Sequence, residues 1–116
     1  NILQLSQNQY IDLNTEMPSL IFFKACNNVN IDTVNLWQSA NNALQLDSCS
    51  NTTINNINID SKNVVNSNGI VIIDCTRFSL TNSFINTTSN SFTKKGKNVE
   101  IKIEKTIKPS GKLVEF

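Results

Sequence analysis

Three cysteines are the residues of this chain that come closest to a metal-binding or nucleophilic pattern. Cys26, Cys49 and Cys75 are separated by 23 and 26 residues, and the chain contains no histidine. Zinc sites usually take closely spaced cysteines and histidines, and a cysteine nucleophile needs a base such as histidine beside it. We therefore predict no metal site, no cofactor and no cysteine nucleophile, and we expect a buried row of free thiols.

Carboxylates are the next groups that could do chemistry, since a pair of them can act as general acid and base. Asp47 and Asp74 each precede a cysteine, but at positions that differ by one residue, so their side chains need not share a face. Three other aspartates fall among turn-forming residues: Asp12, Asp32 and Asp60. We expect all of these to be solvated turn acids. The sequence also has no Ser/His/Asp arrangement and no phosphate-binding glycine loop.

The cysteines mark a sequence repeat of about two dozen residues. Segments 20–36, 43–59 and 69–85 align on them without a gap. In each copy, apolar residues stand five and three positions before the cysteine and five and ten positions after it. The four are Ile21, Phe23, Ile31 and Leu36 in the first copy, Leu44, Leu46, Ile54 and Ile59 in the second, and Ile70, Ile72, Leu80 and Ile85 in the third. Such a period is typical of stacked units that cannot bury their apolar faces alone.

Within each copy the apolar residues alternate with polar ones, which is the period of a β-strand. Three short strands per copy, separated by Asn, Ser and Asp, predict one triangular coil. The predicted fold class is all-β, a right-handed single-stranded parallel β-helix of about five coils. Stacking would align equivalent residues in ladders, with Cys26/Cys49/Cys75 and Ile31/Ile54/Leu80 inside and Asn56/Asn82 at a turn.

Asparagine makes up about one residue in six, which suits solenoid corners because its side chain tolerates left-handed backbone. An Asn-rich disordered tract is the alternative, but 39% of the residues are hydrophobic and fall in register. We predict one domain over residues 1–116, with a partial first coil at 1–17, repeat coils at 18–92 and charged closing strands at 93–116. Because the sequence lacks an initiator Met, we expect a mature form or a part of a longer protein.

Charge and hydropathy indicate which partners to expect. The formal net charge is +1, which gives no electrostatic reason to bind nucleic acid or an acidic membrane surface. No apolar run approaches the ~20 residues that cross a bilayer, so we predict no membrane insertion.

Two stretches carry a family resemblance. Residues 18–29 are Pro-Ser-Leu-Ile-Phe-Phe-Lys-Ala-Cys-Asn-Asn-Val and are followed by Leu36-Trp37, while residues 66–70 are Asn-Ser-Asn-Gly-Ile. The chain resembles the polygalacturonases (glycoside hydrolase family 28) over roughly residues 18–92, and residues 66–70 are similar to that family's Asn-Thr-Asp-Gly-Ile motif. The resemblance implies a pectin-lyase-like parallel β-helix and an ancestry among pectin-cleaving enzymes.

The catalytic positions that the resemblance implies do not hold acids. The family hydrolyses glycosidic bonds with carboxylates that protonate the leaving group and activate water. Its first carboxylate position is Asn68 here, and the following pair is Ser89 and Asn90. An amide or hydroxyl side chain cannot replace a carboxylic acid in proton transfer at neutral pH. The family's Gly-His-Gly motif is also impossible in a chain without histidine, so we do not expect this chain alone to hydrolyse glycans.

A row of outward side chains would remain on the face where the family has its cleft. Stacking should align Ser19, Asn42, Asn68 and Asn90, whose amides could hydrogen-bond sugar hydroxyls. Trp37 could stack on a sugar ring. The alternative is that the asparagines satisfy their own turns and Trp37 packs on a neighbouring loop.

Three functions therefore stay open. The first is a non-catalytic β-helix that binds polysaccharide outside the cell or at its surface through Asn42, Asn68, Asn90 and Trp37. The second is a structural module of a filament, adhesin or tail fibre, which self-associates through the ends of the solenoid. The third is a part of a larger hydrolase or lyase whose catalytic acids lie outside this chain.

Overall fold

The computed structural model describes residues 19–39 and 41–114, and the described part is built from short β-strands without a helix. The strands are β1 (Ile21–Lys24), β2 (Asn30–Trp37), β3 (Asn42–Asp47), β4 (Ser50–Ser61), β5 (Asn68–Ile73), β6 (Thr76–Thr81), β7 (Phe84–Thr87), β8 (Phe92–Lys95) and β9 (Val99–Glu104). They form a first sheet in the order β1-β3-β5-β8 and a second in the order β2-β4-β6-β9, with β7 beside β4.

Strands that follow at intervals of one coil pair in parallel, which confirms the predicted right-handed parallel β-helix. The described residues make about four turns, slightly fewer than the five expected. The predicted partial first coil at 1–17 lies outside the described residues. No helix in the described part is long or apolar enough to span a membrane.

The core consists of the predicted ladders. Ile31 pairs with Ile54, which pairs with Leu80, and Ile103 extends the ladder by one coil. The side chains of Ile54 and Leu80 are fully buried. The Cys ladder is also inside, although Cys26 is only half-buried, and all three thiols are free. Each thiol donates to a backbone carbonyl, as Cys75 Sγ does to Leu46 O at 3.4 Å.

The coil turns at residues with left-handed backbone that recur at equivalent positions. Asn56 and Asn82 have φ angles of 58° and 51°, as expected from their predicted place at a turn. The equivalent positions in the other coils are also left-handed although Thr33 and Lys105 occupy them. Left-handed backbone costs a non-glycine residue about 1–2 kcal/mol. The parallel pairing on both sides of each corner holds these residues in place.

Coil length varies mainly at one corner. We define the third corner as the connections from β2 to β3, from β4 to β5 and from β7 to β8. Across it, equivalent core residues are eight, eleven and seven residues apart: Leu36 to Leu44, Ile59 to Ile70 and Ile85 to Phe92. From Ile31 to Leu36, and at the equivalent positions Ile54 to Ile59 and Leu80 to Ile85, the separation is always five.

After β9 the chain reverses. Ile107 forms a parallel bridge with Phe84 and an antiparallel bridge with Leu113. The backbone N–H of Val114 donates to Thr106 O at 2.8 Å, and the Val114 side chain joins the hydrophobic core at 4% exposure. A hairpin therefore covers part of the core beyond the last coil. On β9 itself, Lys102 and Glu104 form an exposed ion pair at 3.1 Å.

Candidate functional site

The three predicted asparagines lie on successive coils where the third corner enters the first sheet. Asn42 and Asn68 are register partners, and the N–H of Gly69 donates to Asn90 O at 2.9 Å. The N–H of Asn90 donates to the Asn68 side-chain oxygen at 3.2 Å. The structure thus brings together the positions at which the polygalacturonase pattern has its acids.

Ser19 belongs to the same cluster through Gln45, which was not among the predicted site residues. The side-chain oxygen of Gln45 accepts hydrogen bonds from Ser19 Oγ at 2.8 Å and from Asn42 Nδ2 at 3.0 Å. Alternation along β3 puts Gln45 on the outer face, between the buried Leu44 and Leu46. That alternation was the one signal that could have identified it.

Buried hydroxyls hold the third corner in shape. Ser67 is fully buried and its Oγ donates to Ser61 O at 2.9 Å, while the N–H of Thr88 donates to that same Oγ at 3.0 Å. Thr88 Oγ1 donates to Val64 O at 2.6 Å, and the N–H of Ser89 donates to Ser67 O at 2.8 Å. These bonds link two successive connections and fix the backbone on which Asn68 and Asn90 stand.

Gly69 allows the close approach of the next coil. A Cβ built on it would lie 2.2 Å from Ser91 O and 2.7 Å from Ile85 Cγ2. Its N–H and the N–H of Ile70 donate to Asn90 O and Ser91 O, so the two backbones meet directly. The glycine of the Asn-Ser-Asn-Gly-Ile box is required by packing.

A cavity of about 310 Å³ opens beside this cluster. Its volume is at the lower end of the roughly 300–1,000 Å³ range of ligand pockets. The lining is mainly polar and carries one cation, Lys108; the other lining residues are Ile85, Thr87, Ser89, Asn90, Ser91, Phe92 and Pro109. Ser89 and Asn90, the positions at which the polygalacturonase pattern has paired acids, therefore both face this cavity.

Trp37 lies at the end of β2, in a different row of outward side chains from the three asparagines. Its side chain is 65% exposed, and its register partner is Asp60 at the end of β4. Asp60 in turn accepts a hydrogen bond from Asn86 Nδ2 at 3.4 Å. The residues lining the cavity do not include Trp37, so the tryptophan and the asparagine row form separate parts of the predicted surface.

Of the described aspartates only Asp74 lies between strands, whereas Asp32, Asp47 and Asp60 lie within β2, β3 and β4, so the prediction of turn acids was wrong for these three. The registers of Asp47 and Asp74 differ by one residue, as predicted. Asp47 pairs with Ile73. One oxygen of Asp74 accepts the N–H of Lys97 at 2.8 Å, and Asp32 accepts Thr33 Oγ1 at 2.9 Å. Asp12 lies outside the described residues. Within residues 19–39 and 41–114, no group of three or more His, Cys, Asp or Glu side chains could hold a metal ion.

Comparison with known proteins identifies the family. Residues 4–111 match Glycosyl hydrolases family 28, so the chain belongs to this family. The fold is also similar to the crystal structure of a Parabacteroides merdae protein that is assigned as a glycosyl hydrolase, with a TM-score of 0.80 and 26% identity. The similarity covers 86% of this chain but only 44% of that protein. No curated protein matches the chain.

Proposed function

We propose that this chain is a polysaccharide-binding member of family 28 that does not cleave its ligand, and that it acts outside the cell or at the cell surface. The proposal rests on which residues stand at the three positions where the family has catalytic acids. Asn68, Ser89 and Asn90 meet at one corner, and none can deliver or accept the proton that glycoside hydrolysis requires.

The surroundings of these residues support binding. Ser89 and Asn90 line the 310 Å³ cavity, and Asn90 is exposed. The Asn68 oxygen already accepts a hydrogen bond from the backbone N–H of Asn90, so Asn68 chiefly fixes the corner. The side chain of Asn90 is exposed, where it can reach a sugar hydroxyl. Lys108 adds a positive charge that would attract an acidic sugar.

Binding to a polysaccharide array that includes acidic pectins, with product release measured on the same samples, tests the proposal. We expect saturable binding without release of reducing ends, and at least tenfold weaker binding by Asn90→Ala. The matched control is Asn30→Ala, an exposed asparagine on β2 away from the cavity, which should bind normally. Absence of binding to every glycan, or hydrolysis by the purified chain, would overturn the proposal.

A second candidate function follows from the comparison of lengths. Since the chain spans 44% of the similar Parabacteroides protein, it could contribute coils to a longer hydrolase or lyase whose acids lie in other coils. The test is to compare the full-length gene product with this chain on the same glycans. Release of reducing ends by the full-length product alone would favour this function.

Self-association through the solenoid ends is the third candidate, and exposed apolar side chains near the C-terminal end favour it. Val99 and Leu113 are 42% and 60% exposed. Sedimentation over a range of concentrations tests it directly. A growing series of oligomers supports an assembly module, whereas a monomer at all concentrations argues against one.

A further inference from the structure

A second groove lies on the outer face of the second sheet, away from the asparagine row of the candidate site. Its volume is about 640 Å³, well inside the range of ligand pockets. The lining residues come from all four coils: Asn35, Asn56, Ile57, Asn58, Asn82, Ser83, Phe84, Lys105 and Ile107. None of them also lines the 310 Å³ cavity.

The floor of this groove is a row of outward side chains that runs along the solenoid axis. Ile57 and Ile59 are buried, so Asn58 between them faces outward. Asn58 is the register partner of Asn35 on one side and of Phe84 on the other. Ile107 continues the row through its bridge to Phe84. Two amides, an aromatic ring and an aliphatic side chain are therefore spaced at about 4.8 Å.

Asn58 has an unsatisfied hydrogen-bonding group. Its Oδ1 is buried and has no hydrogen-bond partner among the described residues. Buried acceptors in folded proteins almost always have a donor. Because this oxygen is closed off from solvent, the Asn58 side chain has to turn toward the groove before a ligand hydroxyl can donate to it. The corner amides above the row differ, because Asn56 Nδ2 donates to Thr33 and Asn82 Nδ2 donates to Asn55. Those bonds hold the rim of the groove.

Charge distinguishes this groove from its neighbour on the same sheet. Lys105 is the single charged residue in its lining and is exposed, so solvent and salt screen its charge, whereas Lys108 in the 310 Å³ cavity is half-buried and is screened less. The neighbouring groove, of about 690 Å³, is lined by Arg77, Glu100 and Lys102. Amides donate to and accept from hydroxyl groups, and the electron-rich face of Phe84 attracts the polarised C–H groups of a sugar ring. The groove over Asn35, Asn58 and Phe84 therefore suits a neutral, hydroxyl-rich ligand.

We propose that this groove is a second carbohydrate site, which binds a neutral glycan chain lying along the solenoid axis across several coils. It is independent of the site at Asn68 and Asn90, since the two share no lining residue. A chain bound here would leave the third corner free, so the protein could hold two glycan segments at once.

The test is an NMR titration of the chain with neutral hexasaccharides derived from xylan, galactan and cellulose. We expect saturable shifts in the backbone amides of residues 57–59, 83–84 and 105–107 and in the Asn58 side-chain amide. Phe84→Leu keeps most of the packing but removes the aromatic face, and should weaken this binding about tenfold.

The control variant Asn90→Ala separates this site from the first. It should leave the titration at Asn58 unchanged even if it abolishes binding at the third corner. Absence of shifts with all three neutral ligands, shifts confined to residues 88–91, or equal affinity in Phe84→Leu would each overturn the second site. None of those results bears on whether the third corner binds acidic glycans.

Discussion

At the scale of single residues, the Asn-Ser-Asn-Gly-Ile box contains residues with structural roles beside one at a catalytic position. Gly69 allows the close packing of the third corner, and the buried Ser67 holds that corner by its hydrogen bonds. Asn68 occupies the position of a family acid, and its oxygen accepts a backbone hydrogen bond. The box has therefore kept the residues that position the corner, while the carboxylate that would act on a glycan is absent.

Gly69→Ala should destabilise the chain by about 1–3 kcal/mol or more, because its methyl group would overlap Ser91 O. Urea denaturation measures the effect. The matched control is Ala43→Gly, the reverse change at the equivalent position of the preceding coil, where a buried Cβ is accommodated. The control should lose only about 0.5–1 kcal/mol. Equal losses in both variants would mean that the close approach at Gly69 is not tight.

The cysteine ladder gives a prediction about pH. Burial raises the pKa of the Cys49 thiol, so the folded chain holds this proton more tightly than the unfolded chain does. The free energy of unfolding should therefore be unaffected by this thiol below its ordinary pKa of about 8.5, and should fall as the pH rises above that value. Thermal denaturation across the alkaline range measures this, and Cys49→Ala should lessen the alkaline fall.

Alkylation by iodoacetamide should reach the half-buried Cys26 before Cys49; faster labelling of Cys49 would contradict the buried ladder.

At the scale of strands and coils, the parallel ladders explain why the fold could be predicted from one sequence. Pairing in register requires the same residue type at the same offset in each coil, which makes Ile31, Ile54 and Leu80 recognisable by spacing alone. The polar residues that support the candidate site had no comparable signal in the sequence. Gln45 resembles any other outward residue, and the Ser67–Thr88 contact joins two connections of the third corner that differ in length.

Ile54→Asp should unfold the chain, because it places an unpaired carboxylate in the middle of the fully buried ladder. Circular dichroism and thermal denaturation report the loss. Thr53→Asp is the matched control on the adjacent, exposed position of β4 and should change the free energy of unfolding by less than about 0.5 kcal/mol. An Ile54→Asp chain that melts like the parent would show the register to be wrong.

At the scale of the whole described solenoid, each coil contacts chiefly its neighbours, so the last described coil depends on what covers it. The hairpin through Ile107 and Leu113 places Val114 over the core. Charged closing strands were expected here, but the reversal of direction was not. The reversal was not visible because the repeat breaks at Lys108, where the earlier copies have an apolar residue, and residues 108–114 carry no copy of it.

Val114→Asp should open the end of the stack, since it removes a buried apolar contact that contributes about 1.5–3 kcal/mol. Hydrogen exchange should show loss of protection in β8 and β9 first, with earlier coils little changed. Leu113→Asp, one residue away and 60% exposed, is the control and should exchange like the parent. Uniform loss of protection over all coils would mean that the stack opens only as a whole.

The unequal length of the third corner bears on how such chains diversify. Additions there leave the five-residue spacing of the neighbouring ladders intact, and surface connections accept insertions at little thermodynamic cost. The same corner carries Asn42, Asn68 and Asn90. Selection can therefore reshape this edge, at which we propose that a glycan binds, one coil at a time while inherited stability stays constant. In a lineage of hydrolases, that independence lets a catalytic cleft become a binding surface without the scaffold having to be reinvented.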